Sequence, residues 1–188
     1  IDDALRYHKL ITEKKTFRGL NRDGIIAASI YISCRINNNP RTAKEIAQMF
    51  HLDNTSATKG CKNATSIINT IEKDLDGDEK TTFSETNPVT FINRFCSKLN
   101  MTKELIKLCS FIALQIEKNN YIPENTPHSI AAGIVYFVSF ITNTNISKKN
   151  IHDITEISEV TINKCYKKMY AIRHNIVPSS ILKKYNHS

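Results

Sequence analysis

Apolar residues recur with a helical period along nearly the whole chain. Ile26, Ile30 and Cys34 fall at every fourth position, and the segment 105–116 repeats that spacing. Spacings of three and four place apolar side chains on one face of an α-helix, whereas a half-buried strand alternates. Tight Asn-Gly or Asp-Gly turns between alternating runs are lacking, apart from Asp76-Gly77 in an acidic stretch. The pattern predicts an all-α protein with about nine or ten helices and no sheet.

Several helix starts are marked by local motifs. Thr42 and Glu45 have the spacing of a capping box, in which each side chain accepts a hydrogen bond from the backbone N–H of the other residue. Asn87 and Thr126 each precede a proline, the arrangement that favours a capping side chain followed by proline in the first turn. We therefore expect helices to begin just after these positions.

The chain also contains an internal repeat. A shift of 105 residues superimposes Ala27 on Ala132 and Tyr31 on Tyr136, and it keeps apolar positions in phase from residue 23 to residue 63 without a gap. Agreement of amphipathic helices by chance is the alternative, but the turns and capping positions agree as well. The repeat predicts two helical domains of about 90 residues each.

An acidic stretch separates the two copies. Residues 73–87 carry five acidic and two basic side chains, include a glycine and lack an apolar period, which is typical of a solvated linker. We expect a first repeat over residues 1–75, a linker over 76–87, and a second repeat with a C-terminal tail over 88–188.

The second copy has the pattern of a helix-turn-helix. An apolar helix over 127–141 is followed by a short helix over 147–155, a turn at 156–159 and a longer helix over 160–170. A short helix, a brief turn and a second helix form the unit that many proteins insert into the major groove of DNA.

The last of these helices has two chemically distinct faces. The face predicted to point into the core carries Ile162, Cys165, Tyr166 and Met169. The opposite face carries Val160, Asn163, Lys164 and Lys167, with Lys168 beside them. Lysine can neutralise phosphate, asparagine can pair with a base edge, and valine can touch a thymine methyl group. Taken by itself, this face is consistent with DNA binding and equally with a solvent-exposed helix surface that binds nothing.

Charge and composition narrow the functional classes. The net charge is +8 and the pI about 9.2, which indicates an anionic partner such as nucleic acid, or solubility alone. The two glycine-rich motifs that bind phosphate groups, GxGxxG and GxxxxGK(S/T), are both absent from the sequence. The apolar segment 130–141 is too short to cross a bilayer. The high content of Ile, Asn and Lys suggests an AT-rich genome, as in some large DNA viruses and protists.

Cysteine and histidine spacing predicts neither a metal site nor an enzyme. No CxxC pair occurs among the five scattered cysteines, so no zinc site is predicted, and buried thiols in a reducing compartment are expected. Cys61 with His51, or Cys165 with His152, could be proposed as nucleophile and base, but neither pair has an orienting carboxylate at a sensible spacing. We expect no catalytic residues.

Four segments together resemble the core of the transcription factor IIB family. Residues 39–46, Asn-Pro-Arg-Thr-Ala-Lys-Glu-Ile, are similar to a segment of its first repeat, and residues 91–97 are similar to the segment that opens its second. Residues 129–136 and 159–162 match its small-residue helix and its Asp-Val-Thr-Ile-Arg segment. The resemblance extends from Asp2 to Ile172, and the four motifs are specific only in combination.

The resemblance implies two tandem cyclin-like five-helix repeats, each ending in a helix-turn-helix-like pair. It implies a monomer that binds TATA-binding protein and promoter DNA, at the TATA box and its flanks, and bridges them to RNA polymerase. No cofactor is expected here, because the family's zinc ribbon lies N-terminal to the repeats. The chain is expected to begin inside the second helix of repeat one. The expected location is the nucleus, or a cytoplasmic viral factory or virion if the source is viral.

The resemblance also implies particular contact residues. Those expected to bind DNA are Val160, Asn163, Lys164, Lys167, Lys168, Lys148, Lys149 and Arg18. Those expected to meet TATA-binding protein are Arg41, Asn54, Thr55, Lys59 and Lys62. Two positions depart from the family pattern. Asn163 stands where arginine is usual and prefers adenine to guanine, and Asn54-Thr55 replaces a pair of lysines.

Two other functions stay open at this stage. A subunit of the RNA polymerase III initiation factor would share these repeats. A cyclin would share the fold, but it would use a kinase-docking surface on its first repeat and would not need excess positive charge on its last helix pair.

Overall fold

The computed structural model of the protein describes residues 1–73, 81 and 86–186. Helices account for its regular structure, and no strand occurs among the described residues. The helices are α1 (Asp2–Lys14), α2 (Leu20–Ile36), α3 (Ala43–Met49), α4 (Asn54–Ile71), α5 (Val89–Lys98), α6 (Lys103–Lys118), α7 (Pro127–Ile141), α8 (Lys148–Thr155), α9 (Glu159–Ala171), α10 (Arg173–Ile176) and α11 (Ser179–Lys184). The predicted all-α class is confirmed.

The chain divides into two compact units, Ile1–Glu85 and Thr86–Ser188. The first unit holds α1 to α4 and the second holds α5 to α11. The division falls inside the segment 76–87 that the sequence predicts to be a linker. Most of that segment lies outside the described residues, so its linker character stays a prediction.

The two units repeat the same local structure at the predicted shift of 105 residues. Helix α3 begins at Ala43 and α8 at Lys148, while α4 begins at Asn54 and α9 at Glu159. The residues just before them also correspond, since Thr42 and Ser147 both head capping boxes, and Asp53 and Ser158 both cap the next helix with a side-chain oxygen.

The turns between these helices correspond in backbone conformation too. Asn38 and Asn143 both have positive φ, as do His51 and Glu156, and each pair is related by the same shift. Left-handed residues are uncommon outside glycine, and asparagine is among the residues that adopt this conformation most often. The turns therefore repeat in detail, and similar amphipathicity alone would not produce this agreement.

Each unit has one central helix. In the first unit α2 packs against α1, α3 and α4, and in the second unit α7 packs against α5, α6, α8 and α9. Eleven of the fifteen residues of α7 are buried, so the apolar segment 130–141 forms a largely buried helix. The central helix carries small residues, such as Ala27 and Ala28 in α2, that let neighbouring helices approach closely.

The apolar stripe of Ile26, Ile30 and Cys34 is less buried than its period suggests. These side chains line a groove of about 640 Å³ between α1 and α2, and Ile26 is 38% exposed. The positions of the second unit that correspond to them lie in α7 and are fully buried, where α5 packs against that helix. Within the described part of the first unit, no helix covers this groove.

The two helix starts expected beside prolines differ, because the predicted capping bond forms at Asn87 but not at Thr126. The Thr126 side chain donates to the Ser129 hydroxyl at 2.9 Å, and no side-chain bond to a backbone N–H is recorded at this cap. The Asn87 side chain accepts from the backbone N–H of Thr90 at 3.2 Å, although Pro88 is the residue that precedes the first helical position. The capping box of Thr42 and Glu45 is confirmed.

Candidate nucleic-acid and protein interface

The pair α8–α9 is held at its entry by a capping box. The Ser147 hydroxyl accepts from the backbone N–H of Asn150 at 3.1 Å, and the Asn150 side-chain oxygen accepts from the backbone N–H of Ser147 at 3.0 Å. These bonds satisfy two donors that a helix start otherwise leaves unpaired. Helix α8 therefore begins at a defined residue, with Lys148 and Lys149 in its first turn.

The turn between α8 and α9 is stabilised by short-range bonds. Glu156 adopts the left-handed conformation, with φ of 58°. His152 donates from Nδ1 to the carbonyl of Ile157 at 2.9 Å, and the Thr155 hydroxyl accepts from the backbone N–H of Ile157 at 3.2 Å. Ser158 then caps α9 by accepting from the backbone N–H of Thr161. The angle at which α9 leaves the turn is thus set by side chains of α8.

Close packing against α7 fixes the rotation of α9. Ile162, Cys165 and Met169 are fully buried, and Tyr166 is half-buried. A Cβ atom built on Gly133 of α7 would lie 2.4 Å from the Cβ of Cys165, so the two helices meet where only glycine fits. The predicted inner face of α9 is observed.

The opposite face of α9 is open. Val160 is 65% exposed, Lys164 and Lys167 are exposed, and Asn163 is half-buried. The four side chains thus lie away from the core, as the helical wheel predicts. Their role in DNA binding stays a prediction.

Two of the remaining predicted DNA contacts have partners within the unit. The Lys168 ammonium forms an ion pair with Glu124 and donates to the Asn125 side-chain oxygen at 3.3 Å. The Lys148 ammonium lies 5.2 Å from the centre of the Tyr136 ring. Both contacts offset some of the charge that these lysines present to solvent. Lys149 is exposed.

The residues expected to meet TATA-binding protein lie in the corresponding part of the first unit. Most are exposed at the start or on the outer face of α4, namely Asn54, Thr55, Lys59 and Lys62, whereas Arg41 before α3 is half-buried. The backbone N–H of Ser56 donates to Asp53 and lowers the pKa of that carboxyl group. Arg18 is exposed, and it precedes Gly19, which has φ of 53°.

An aromatic cluster in the second unit was not predicted. Tyr166 lies 5.2 Å from Tyr136 and 5.1 Å from Phe140, and Tyr170 lies 5.9 Å from Phe140, all between ring centres. Desolvation raises the pKa of Tyr166. The spacing of four residues within each helix is the signal that could have revealed the cluster, since such pairs share a helix face.

The thiol environments do not favour nucleophilic chemistry. Burial raises the pKa of Cys61 to about 12 and that of Cys165 to about 11, which keeps both thiols protonated. Cys34 is half-buried, and the other four cysteines are buried. Within the described ranges no three His, Cys, Asp or Glu side chains form a group that could hold a metal ion. No described helix is long and apolar enough to span a membrane.

Comparison with known proteins identifies relatives for both units. The sequence model of the family "Transcription factor TFIIB repeat" matches residues 1–66 and 81–172. A transcription initiation factor IIB-like protein of Acanthamoeba polyphaga mimivirus is 35% identical over 81% of this chain and 32% of its own length. Transcription initiation factor IIB of Encephalitozoon cuniculi is 33% identical over 98% of the chain and 55% of its own length.

The same relationship extends to other eukaryotes. Transcription initiation factor IIB of Dictyostelium discoideum is 29% identical over 95% of this chain and 52% of its own length. The chain therefore spans between a third and just over half of the relatives that it matches. The family match covers most of the chain in two segments, which agree with the two units of the fold. The chain belongs to the transcription factor TFIIB repeat family.

Proposed function

We propose that this chain is the core of a general transcription initiation factor, which binds TATA-binding protein and promoter DNA and bridges them to RNA polymerase. The observation that carries the proposal is the outward face of α9 in the second of two TFIIB repeats, which presents exposed Val160, Lys164 and Lys167 and half-buried Asn163. A helix of this kind, held by a defined turn and a close helix contact, is suited to a DNA groove. The net charge of +8 supports an anionic partner.

On DNA, the exposed face of α9 divides into positioning and reading residues. Lys164 and Lys167 neutralise phosphates, while Val160 and Asn163 meet base edges beside the TATA box. Phosphate contacts from Lys148, Lys149 and Arg18 add to binding without reading sequence. Lys168 contributes less than the other lysines, because its ammonium is already paired with Glu124.

Toward TATA-binding protein, the first unit presents the start and outer face of α4. Lys59 and Lys62 supply the positive charge, and Arg41 lies just before α3. Asn54 and Thr55 offer hydrogen bonds but no charge. Attraction to an acidic surface therefore depends mainly on the two lysines.

The proposal also covers the oligomeric state, location, domain boundaries and cofactors of the protein. The protein acts as a monomer in the nucleus, or in a viral factory if the source is viral. The repeats span 1–75 and 88–188, joined by the acidic segment 76–87, and this part of the protein acts without a cofactor. A zinc ribbon, where the family has one, would belong to sequence N-terminal to the repeats.

The proposal is tested by a gel-shift assay with TATA-binding protein and a TATA-containing duplex, with and without this chain. We expect a further retarded band when all three components are present. A duplex with a scrambled TATA element serves as the control. Failure to form the ternary complex at micromolar concentrations of this chain would contradict the proposal.

Binding to DNA alone is expected to be weak and steeply dependent on salt. Lysine and arginine contacts release counterions, so a handful of phosphate contacts gives a slope of about −3 to −6 in a plot of log affinity against log salt concentration. The measurement is fluorescence anisotropy of a labelled duplex at several salt concentrations. A flat response would show that the positive charge does not contact phosphates.

Charge reversal at both Lys59 and Lys62 is expected to weaken assembly with TATA-binding protein more than binding to free DNA. The reason is their position on α4 of the first unit, the surface that the proposal assigns to TATA-binding protein. The measurement compares affinity for the TATA-binding protein–DNA complex with affinity for the duplex alone. The double variant Lys14→Glu, Lys15→Glu, at the end of α1, makes the same change in net charge and is the control. Equal losses in the two assays would assign the two lysines to DNA.

A further inference from the structure

One residue of the acidic segment between the repeats is bonded to the first unit. The backbone N–H of Thr81 donates to Glu72 Oε2 at 2.7 Å, and the Thr81 hydroxyl donates to Oε1 of the same carboxylate. Glu72 caps the C-terminal end of α4. A carboxylate has two acceptor oxygens, and here both take a hydrogen bond from one residue that lies nine positions further along the chain.

The other side of Thr81 contacts α1. The hydroxyls of Tyr7 and Thr81 lie 2.8 Å apart, and Tyr7 is otherwise 96% buried in the core of the first unit, with 4% exposure. Because Thr81 donates its one hydroxyl proton to Glu72, Tyr7 is the donor in this bond. The Arg6 guanidinium donates to the Tyr7 hydroxyl at 3.0 Å. The bonds of these four residues, which we call the Thr81 clip, run from a cation through two hydroxyls to a carboxylate and polarise one another.

The clip is particular to the first unit. At the shift of 105 residues Tyr7 corresponds to Ile112 of α6, whose side chain forms no hydrogen bonds and is fully buried. In the second unit the chain that follows the last repeat helix is held by apolar packing, since Ile176 and Val177 are buried in the core. The repeat fold therefore does not require a polar attachment at this place.

A polar attachment is easier to release than an apolar one. When Thr81 leaves the clip, water can bond to the carboxylate and the hydroxyls, so the exchange costs little compared with exposing a core side chain. Thr81 is half-buried, which places the clip at the edge of the unit rather than inside it. The clip can therefore open and close while the helices of the first unit stay folded.

We propose that the Thr81 clip is a releasable strap that fastens the segment between the repeats to the first unit. When the clip is closed, the stretch between the last fastened residue and α5 shortens from residues 73–88 to residues 82–88. A shorter tether raises the effective concentration of the second unit at DNA once the first unit has bound TATA-binding protein. This consequence, in which Thr81 is a positioning residue, rests on the proposed function, whereas the clip itself does not.

The clip is tested by trypsin cleavage of the folded chain after Lys80. The rate follows the population of the open clip, because the residues around the cleaved bond must be released first. Tyr7→Phe removes one bond and leaves the cleaved sequence unchanged, and we expect it to speed cleavage about fivefold. Thr81→Val removes both hydroxyl bonds, and we expect about twentyfold. Each rate is normalised to that of a peptide with the same sequence around Lys80.

A matched substitution elsewhere on the unit is the control. The Thr70 hydroxyl is exposed and donates to the carbonyl of Ser66 within α4, so we expect Thr70→Val to be cleaved at the wild-type rate. The double variant Tyr7→Phe, Thr81→Val is expected to be cleaved no faster than Thr81→Val, because both changes remove the same bond. Cleavage after Lys14 of α1 is expected to stay unchanged, which separates release of the clip from unfolding of the unit.

The effect on assembly is measured by titrating the chain into a labelled complex of TATA-binding protein and a TATA duplex. We expect Thr81→Val to weaken the ternary complex about threefold, because effective concentration falls roughly as the −3/2 power of tether length. Affinity for the duplex alone is expected to be unchanged, and Thr70→Val is expected to match wild type in both assays. If the wild-type chain forms no ternary complex, the proposed function is contradicted, and the trypsin assay still decides whether the clip exists.

Three results would overturn the proposal. The first is equal cleavage after Lys80 in wild type, Tyr7→Phe and Thr81→Val, which would show that the clip does not hold Thr81. The second is equal acceleration after Lys14 and Lys80, which would assign the effect to lower stability of the whole unit. The third is faster cleavage after Lys80 with wild-type affinity in the ternary complex, which would show that the strap does not set the tether.

Discussion

Gly60→Ala is expected to lower the free energy of unfolding of the first unit by about 2 kcal/mol. A Cβ atom at Gly60 would lie 2.0 Å from the carbonyl oxygen of Gly24 and 2.7 Å from its Cα. These are backbone atoms of α2, so the whole helix must move. Overpacking of this severity costs about 3 kcal/mol, and the higher helix propensity of alanine offsets about 1 kcal/mol.

The effect is measured by urea denaturation and localised by hydrogen exchange. We expect faster exchange at the amides of α2 and α4 and unchanged exchange at those of α7 and α9. Asn63→Ala is the control, because Asn63 is exposed on the same helix and its replacement is expected to change stability by less than about 0.5 kcal/mol. If Gly60→Ala is as stable as wild type, then α2 and α4 can move apart at this crossing without a loss in the free energy of unfolding.

Selection of randomised DNA flanks is expected to separate the reading residues of α9 from the positioning residues. Lys164→Ala and Lys167→Ala should weaken binding to every duplex alike and reduce the salt slope by about one each. Val160→Ala and Asn163→Ala should mainly flatten the preference among sequences beside the TATA box, by about 1–3 kcal/mol per good base contact. The reason is that phosphates are the same in every sequence, whereas base edges differ.

The variant Asn163→Arg tests the same assignment by introducing a new base preference. The guanidinium fork matches the O6 and N7 acceptors of guanine, so we expect a shift toward guanine at one flank position. The selection is performed in the ternary complex with TATA-binding protein, using wild type and each variant. If wild type shows no flank preference, then Val160 and Asn163 do not read bases, and α9 holds DNA through its charge alone.

The helices and the repeat could be predicted because their signals are local. The period of apolar residues marks each helix, and the Thr42–Glu45 capping box marks a helix start from two residues that lie close in sequence. The inner face of α9 followed from the same period, since Ile162, Cys165 and Met169 fall on one side of any α-helix. The resemblance of four segments to one family then identified the class of protein.

The burial of individual positions was harder to predict. Ile26 has the same helical spacing as its counterpart in α7, yet it lines an open groove, whereas the counterpart is buried in a unit where α5 also packs on the central helix. A period indicates which residues share a face, but it does not indicate whether another element packs on that face. For the same reason the helical wheel grouped Tyr166 with fully buried residues, although its ring is half-buried within an aromatic cluster.

Composition, charge and local periodicity were enough to establish an all-α chain with two repeats and an exposed basic face on its last long helix. Only the tertiary structure decided the contacts between residues far apart in sequence. The ion pair between Lys168 and Glu124 and the crossing at Gly24 and Gly60 depend on how helices meet. The groove that Ile26 lines depends on side chains from two helices. Such features follow from crossing angles and packed volumes, which no local pattern contains.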